Sequence, residues 1–282
     1  VKNIFLFTIL SLSLIPIALS GDDEDLIRIM TYNIRYEGDE KTEGINSWNN
    51  RKELVASIIK TYKADIVGLQ EALKIQLDDL TELFPDFAWV GIGRDGGEAG
   101  EYSAIFYNKN RFEVLEDSTI WLSETPEKPS KGWDAALNRI VTWAKFKDKV
   151  TGKTFYHFNT HFDHKGEMAK LESADLLNDK VAEIAGKSPA VITGDLNFKP
   201  ESKGYKILTG GRRNYLFDAQ SVKENPNITF NDFGKSLEEG NKIDYIFIKN
   251  NVEVKEHIII TDTFNGRYPS DHMPVLAEIR IK

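Results

Sequence analysis

The 282-residue chain has no cysteine. That absence excludes disulfides, a thiolate nucleophile, a cysteine-ligated zinc ion and a lipidated N-terminal cysteine. A surplus of positive charge is also missing: 36 Lys and Arg face 44 Asp and Glu, for a formal net charge of −8. Such a chain is not a natural non-specific binder of polyanions. This weighs against a nucleic-acid partner without excluding one, because a local cation can neutralise phosphates on an otherwise negative surface. There is no internal repeat and no low-complexity linker. Histidine is scarce, with five in the whole chain. The uncharged apolar run after Lys2, "IFLFTILSLSLIPIALS", is short of the roughly 20 apolar residues that a spanning helix needs. It closes on Ala18-Leu19-Ser20 before Gly21, a small-x-small pattern of signal-peptidase cleavage, and the acidic "GDDED" follows. Residues 1–20 therefore read as a signal peptide, with a retained anchor as the alternative. Residues 21–282 read as one exported domain, secreted or periplasmic.

What is present is a globular balance, 41% hydrophobic and 28% charged, which is ample for a sizeable core. "LIRIMTYNI" (26–34) alternates as a strand does. "SWNNRKELVASIIKTY" (47–62) carries apolar residues at helical spacing, and "DIVGLQ" (65–70) reads as a short buried strand. "KIQLDDLTELF" (74–84) is a helix stopped by Pro85. "SAIFYN" and "RFEVLEDSTIWL" predict a strand pair around "NKNR", and "RIVTWAKFKD" and "TFYHFNTHF" a hairpin across "KVTGK". A helix over 165–186 ends at Gly186, and "PAVITGDLN" is a further buried strand. "NKIDYIFIKN", "VEVKEHIII" and "PVLAEIRIK" supply three more strands. Helices interrupt the hairpins, and the helix after residue 47 joins two strands at βαβ spacing. The expectation is an α/β (α+β) domain with two facing mixed sheets and helices outside.

The polar residues share one position. Asn33, Glu71, His161, Asp195, Asn197, Asp244, Asp271 and His272 each sit where a buried apolar strand meets a loop, the rim where ligand sites collect. Any one of these acids alone reads as a turn former. Together they are harder to dismiss, because a buried acid without a partner is costly. Oxygen donors without cysteine suit a hard cation, Mg2+, Mn2+ or Ca2+, with Glu71, Asp271 and Asn33 as its shell. His161, Asp163 and His164 form a weaker zinc-type alternative. His161 and His272 lie beside acids, which orient an imidazole for acid–base work. His157 lies deeper and reads as structural, and His257 carries no assigned role.

"TYNI", "LQE", "NTHFDH", "GDLN", "IDYIF" and "SDHMPV" occur in the order seen in the endonuclease/exonuclease/phosphatase superfamily. Its members include deoxyribonuclease I, abasic-site endonucleases, neutral sphingomyelinases and inositol polyphosphate 5-phosphatases. The chain resembles it from about Ile27 to Ile281. The resemblance implies a four-layered, deoxyribonuclease I-like α/β sandwich that hydrolyses phosphoesters with a divalent cation. It casts Glu71 as main metal ligand, completed by Asn33 and Asp271. Asp195 is the acid acting on the attacking water, and Asn197 the amide that holds that water and a phosphate oxygen. His272 contacts the scissile phosphate and Asp244 orients it. His161 is a second phosphate-contacting histidine or proton donor, with Glu101 as its partner, and Arg139 binds phosphate. Whether one or two metal ions act, and which group is the base, stays open.

The departures point to the substrate. Leu73 stands where the nuclease branch carries a DNA-contacting arginine, and there is no basic arm. Two long loops, 37–51 with Trp48 and 123–139 with Trp133, read as pocket walls. Their tryptophans either stack on a flat substrate group or pin their loops to the body. The expectation is a monomeric, secreted, Mg2+-dependent hydrolase of a small or medium phosphoester of a sugar, inositol, lipid headgroup or nucleotide. The alternatives are a secreted nuclease and a non-catalytic binding module.

Overall fold

Alternation along Leu26–Asn33 sends Ile27 and Ile29 into one apolar cluster and Met30 and Tyr32 into another. A strand apolar on both faces must lie between two packed layers. The computed structural model describes residues 24–210, 215–220 and 227–282, so the leader expected over residues 1–20 lies outside the described residues. The chain opens with β1 (Leu26–Asn33), α1 (Glu40–Glu43), α2 (Trp48–Thr61), β2 (Ile66–Gln70), α3 (Lys74–Leu83), β3 (Phe87–Val90) and β4 (Ile105–Asn108). It continues with β5 (Phe112–Trp121), β6 (Ile140–Asp148), β7 (Thr154–His161), α4 (Glu167–Ala185), β8 (Ala190–Asp195), α5 (Lys203–Gly210), β9 (Phe217–Asp218), β10 (Asp244–Lys249), β11 (Val252–Ile259) and β12 (Val275–Ile281).

Two six-stranded sheets result, β11-β12-β1-β2-β4-β3 and β5-β6-β7-β8-β10-β9. The helix α2 returns the chain so that β2 lies parallel to β1, as its spacing predicts, and α4 does the same for β7 and β8. All other pairings among the described residues are antiparallel, so both sheets are mixed. Val55, Ile58 and Ile59 of α2 and Leu77 and Leu80 of α3 cover Met30, Val67 and Leu69 on one outer face. Leu177 and Val181 of α4 and Leu208 of α5 cover Phe158, Ile192 and Phe247 on the other. Ile27, Ile66, Phe146, Phe155, Val191 and Ile279 fill the space between the sheets. The four layers and two facing mixed sheets agree with the sequence reading.

One predicted hairpin does not form. Strands β4 and β5 belong to different sheets, and "NKNR" is a crossing between them rather than a turn. Asn108 and Lys109 donate their backbone N–H groups to the carbonyls of Asp65 and Asp86, at 2.9 Å each, on the first sheet's side. Arg111 then bridges Asp65 (3.2 Å) and Asp148 (3.3 Å), one acid from each side of the crossing. The turn between β10 and β11 changes sheet in the same way. The short strand β3 was not anticipated.

The two sheets are tied by a polar cross-link within their apolar interface. Asn159 of β7 donates both amide hydrogens across the gap, to the carbonyls of Leu69 (2.8 Å) and Ala104 (2.9 Å). Its Oδ1 accepts from Gln70 Nε2 (2.7 Å) and Thr193 Oγ1 (2.9 Å). His157, fully buried, meets Thr193 Oγ1 at 2.8 Å, which makes it the structural histidine that its depth suggested. Gly68 makes the approach possible: a Cβ there would stand 2.1 Å from Thr193 Oγ1 and 2.5 Å from Asn159 Oδ1. Asn159→Ala removes four buried hydrogen bonds at once and is expected to cost about 2–4 kcal/mol. Urea unfolding should show a lower midpoint at an unchanged slope.

Candidate active site

Strand direction brings the polar residues to one edge. Asn33, Glu71, His161 and Asp195 lie at or just past the C-terminal ends of β1, β2, β7 and β8, the strands of the two parallel pairs. Asp244 begins β10, antiparallel to β8, and Asp271 and His272 precede β12, antiparallel to β1. Ends of the first set and beginnings of the second therefore share a rim. Residue pairing sets Asp195 opposite Asp244 on one side and opposite His161 on the other. The rim opens into a cleft of about 930 Å³.

Asn33 sits at the centre. Its Nδ2 donates to Glu71 Oε1 (3.1 Å) from the first sheet and to Asp195 Oδ2 (3.0 Å) from the second. Asp195 Oδ1 accepts the backbone N–H of Asn197 at 3.0 Å. Asn197 Nδ2 donates to the Phe162 carbonyl (3.0 Å) and lies 3.1 Å from His161 Nε2. An amide nitrogen only donates, so Nε2 of His161 accepts and its proton belongs on Nδ1. His272 Nδ1 meets Asp244 Oδ2 at 2.9 Å, and its Nε2 lies 3.7 Å from Asp195 Oδ2. Glu71 and Asn197 adopt left-handed backbone, at φ 62 and 51. For such residues this conformation costs about 1 kcal/mol or more each, and it concentrates at functional sites.

The two buried histidines are driven apart electrostatically. Burial, then the charges of Arg139, His272 and Arg94, hold His161 well below the ordinary imidazole range, so it is neutral. Burial opposes charge on His272 too, but Asp244 and Asp195 outweigh it and keep the ring cationic. Burial and the neighbouring Asp244 charge push Asp195 up from the carboxylate range, against the pull of His272 and Asn33. The rim thus carries one neutral and one cationic imidazole, a difference made by their surroundings.

Two residue sets could hold a cation. Asp195, Asp244 and His272 bring ligand atoms within 4.8 Å of one another. In that group, however, Nδ1 of His272 and Asp244 are already bonded to each other. Glu71 and Asp271 fit better. Both face the cleft with side chains 14% and 11% exposed. Asp271 is pushed up by burial and by the Glu71 charge, despite relief from His272, Arg35 and Arg51. Adjacent carboxylates with oxygen donors only suit a hard divalent ion.

Several expectations need correction. Glu101 lines the cleft, but its carboxylate pairs with Arg94 at 2.6 Å rather than with His161. Burial raises its pKa, against the Arg94 charge. Trp133 is half-buried, donates its backbone N–H to the Glu124 carboxylate and lies outside the residues that line the cleft. Trp48 is the first residue of α2, 1% exposed, with its indole N–H on Asp79 at 2.7 Å. The Trp48 indole pins its helix to α3, and neither tryptophan lines the cleft. Asp163 takes no part in a zinc-type set: it accepts the N–H groups of Lys165 (2.9 Å) and Gly166 (2.8 Å) and pairs with Arg139 at 3.4 Å. Arg139 lines the cleft and is 4% exposed, so it is not a surface strand residue. Missed altogether were Arg35 and Arg94, which also line the cleft, and Phe230, whose ring meets His272 edge-on at 5.1 Å. An arginine directly after "TYNI" was a visible signal; the other two carried none.

Comparison with known proteins agrees with this geometry. The sequence model of the Endonuclease/Exonuclease/phosphatase family matches residues 30–272. The structure is similar to an endonuclease/exonuclease/phosphatase from Bacteroides vulgatus, with 41% identity, 91% of this chain and 99% of that one covered, and a TM-score of 0.84. It is similar to a mannosyl-6-phosphatase from Bacteroides thetaiotaomicron, with 37% identity, 90% and 99% covered, and a TM-score of 0.84. A CCR4-Not complex 3'-5'-exoribonuclease subunit from Mycosarcoma maydis is 23% identical over 84% of this chain, which spans 46% of that protein's length.

Asp163 offers a test of the electrostatics. Burial would raise its pKa, but the N–H groups of Gly166 and Lys165 and the Arg139 charge win and hold it well below the ordinary range. Asp163→Ala leaves Arg139 buried and unpaired, and should cost about 3 kcal/mol at neutral pH. A depressed folded pKa gives stability that is complete above the ordinary Asp value of about 4 and is lost as pH falls through the folded value. The gap between wild type and variant in urea unfolding should therefore persist to pH 5 and narrow only in strong acid.

Proposed function

Because the chain belongs to the endonuclease/exonuclease/phosphatase family, a family of phosphoester hydrolases, we propose that it is a secreted, Mg2+-dependent hydrolase of a small phosphoester, most simply a sugar phosphomonoester. The observation that carries this reading is the convergence of Asn33, Glu71, Asp195, Asn197, Asp271 and His272, from both sheets, on one cleft. Glu71 and Asp271 would hold the divalent ion, with Asn33 orienting Glu71 through its amide N–H rather than ligating as the sequence suggested, and the ion would neutralise charge on the phosphoryl group. Asp195 and the Asn197 amide orient water for attack. Cationic His272, held by Asp244, donates to a phosphoryl oxygen, while Arg139 adds a second fixed charge. Neutral His161 lies within reach of the same space through Asn197. The expected leader supports export.

Charge in the cleft favours a small substrate. Arg35, Arg94, Arg139, Lys199 and Lys235 line it, but so do Glu43, Glu71, Glu101, Asp195, Asp232 and Asp271. Tight binding of a long polyanion draws on about 6–10 phosphate contacts by cations, and this wall offers no such excess. The likeness to a mannosyl-6-phosphatase supports a sugar phosphate, and the likeness to an exoribonuclease keeps RNA as the second reading.

The mature protein should release phosphate from hexose 6-phosphates with Mg2+, lose activity in EDTA and regain it on adding Mg2+. Asp195→Asn and His272→Gln should each lower kcat about 10²–10⁴-fold while circular dichroism stays unchanged. RNA shortening or plasmid nicking that EDTA and Asp195→Asn both abolish, with no sugar-phosphate turnover, would overturn the proposal in favour of a nuclease.

A further inference from the structure

Arg35 stands against both carboxylates that fit a divalent ion. Its Nη1 lies 3.8 Å from Glu71 Oε2, and its Nε lies 3.9 Å from Asp271 Oδ2. These separations are too long for hydrogen bonds but short enough for strong attraction between charges. The Nε atom is buried and has no hydrogen-bond acceptor, so the guanidinium is locked onto neither acid. Its other side is anchored: Nη2 meets Glu43 Oε1 at 3.3 Å, and the guanidinium carbon sits 4.2 Å from the centre of the Tyr36 ring.

The backbone is built to hold this arrangement. Arg35 has φ 57, left-handed and unfavourable for an arginine. Its N–H donates to Asn33 Oδ1 at 3.0 Å, and its carbonyl accepts from Gln76 Nε2 (2.9 Å) and Arg51 Nη2 (3.1 Å). Arg51 is 1% exposed and spends further donors on the main-chain oxygens of Asn46, Ile34 and Pro269. Gln76 is fully buried, and its Oε1 also accepts the N–H groups of Glu37 and Leu73. Two buried side chains are thus committed to main-chain groups around Arg35. An arginine needed only for solubility would require neither the strain nor this support.

We propose that Arg35 is a built-in counter-charge of the Glu71–Asp271 pair and sets the affinity of the site for its divalent cation. The guanidinium and the ion draw on the same two carboxylates and repel each other. Arg35 therefore weakens ion binding to the free enzyme. A phosphoester, whose negative charge both cations can share, restores the balance, so ion and substrate are held together more firmly than either alone. Arg35 is on this view a positioning residue, and the role rests on the metal-dependent reading above.

The test is calorimetric titration of the mature protein with Mn2+ in the absence of any substrate. Arg35→Gln removes the charge and should tighten Mn2+ binding about tenfold. Arg35→Lys keeps the charge and should stay within about threefold of wild type. Glu71→Gln should abolish the binding event, which identifies the site. Should Arg35→Gln fail to fold by circular dichroism, Arg35→Met carries the same expectation. Unchanged or weaker Mn2+ binding in the folded, charge-free variant would overturn the proposal, as would an equal gain in Arg35→Lys or an absence of Mn2+ binding throughout. Because no substrate is present, a failure to find phosphoester turnover leaves this measurement decisive.

Discussion

The site depends on the amide of Asn159. Apolar contact between two sheets is non-directional and leaves their relative position soft, whereas two hydrogen bonds to opposing carbonyls fix it. Asn159 makes both, just below the rim, and Gly68 has no side chain to stand in the way. One of the acceptors is the carbonyl of Leu69, two residues before Glu71. The same strand that carries Asn159 ends at His161. One polar cross-link therefore sets the distance between Glu71 on the first sheet and His161 on the second. Asn33, fully buried at the rim, repeats the device, with one amide nitrogen shared between Glu71 and Asp195.

Around that frame, preorganisation is purchased with strain and burial. Arg35, Glu71 and Asn197 all sit in left-handed backbone, and each is held by bonds that leave little choice. His272, Asp195 and Asp244 are nearly inaccessible to water, and the two acids outweigh burial to keep the His272 ring cationic. The energy stored in this cluster is supported by four layers of ordinary apolar packing, which have no direct part in the chemistry.

Most of the rim was legible in the sequence because each residue there breaks an apolar strand, and a break in a two-residue period is visible without coordinates. The layers were legible for the same reason. What could not be read was non-local. The residues "NKNR" look identical whether the next strand joins the same sheet or the opposite one; only the acids Asp65 and Asp148, far away in the chain, decide it. Trp48 and Trp133 lie in polar stretches, and nothing local says that one is swallowed by the core. Glu101 lost its expected histidine partner to Arg94, in a segment of isolated bridges that follows no period. Backbone sign at Arg35 and Glu71 left no trace at all, since neither is a glycine.

Strand β12, the last in the chain, lies between β11 and β1, and Asp271 and His272 stand at its entrance. The strand that completes the first sheet therefore also delivers a carboxylate and an imidazole to the rim. Fraying of β12 would part β11 from β1 and withdraw both groups from the cleft together, so loss of that pairing and loss of the site are one event.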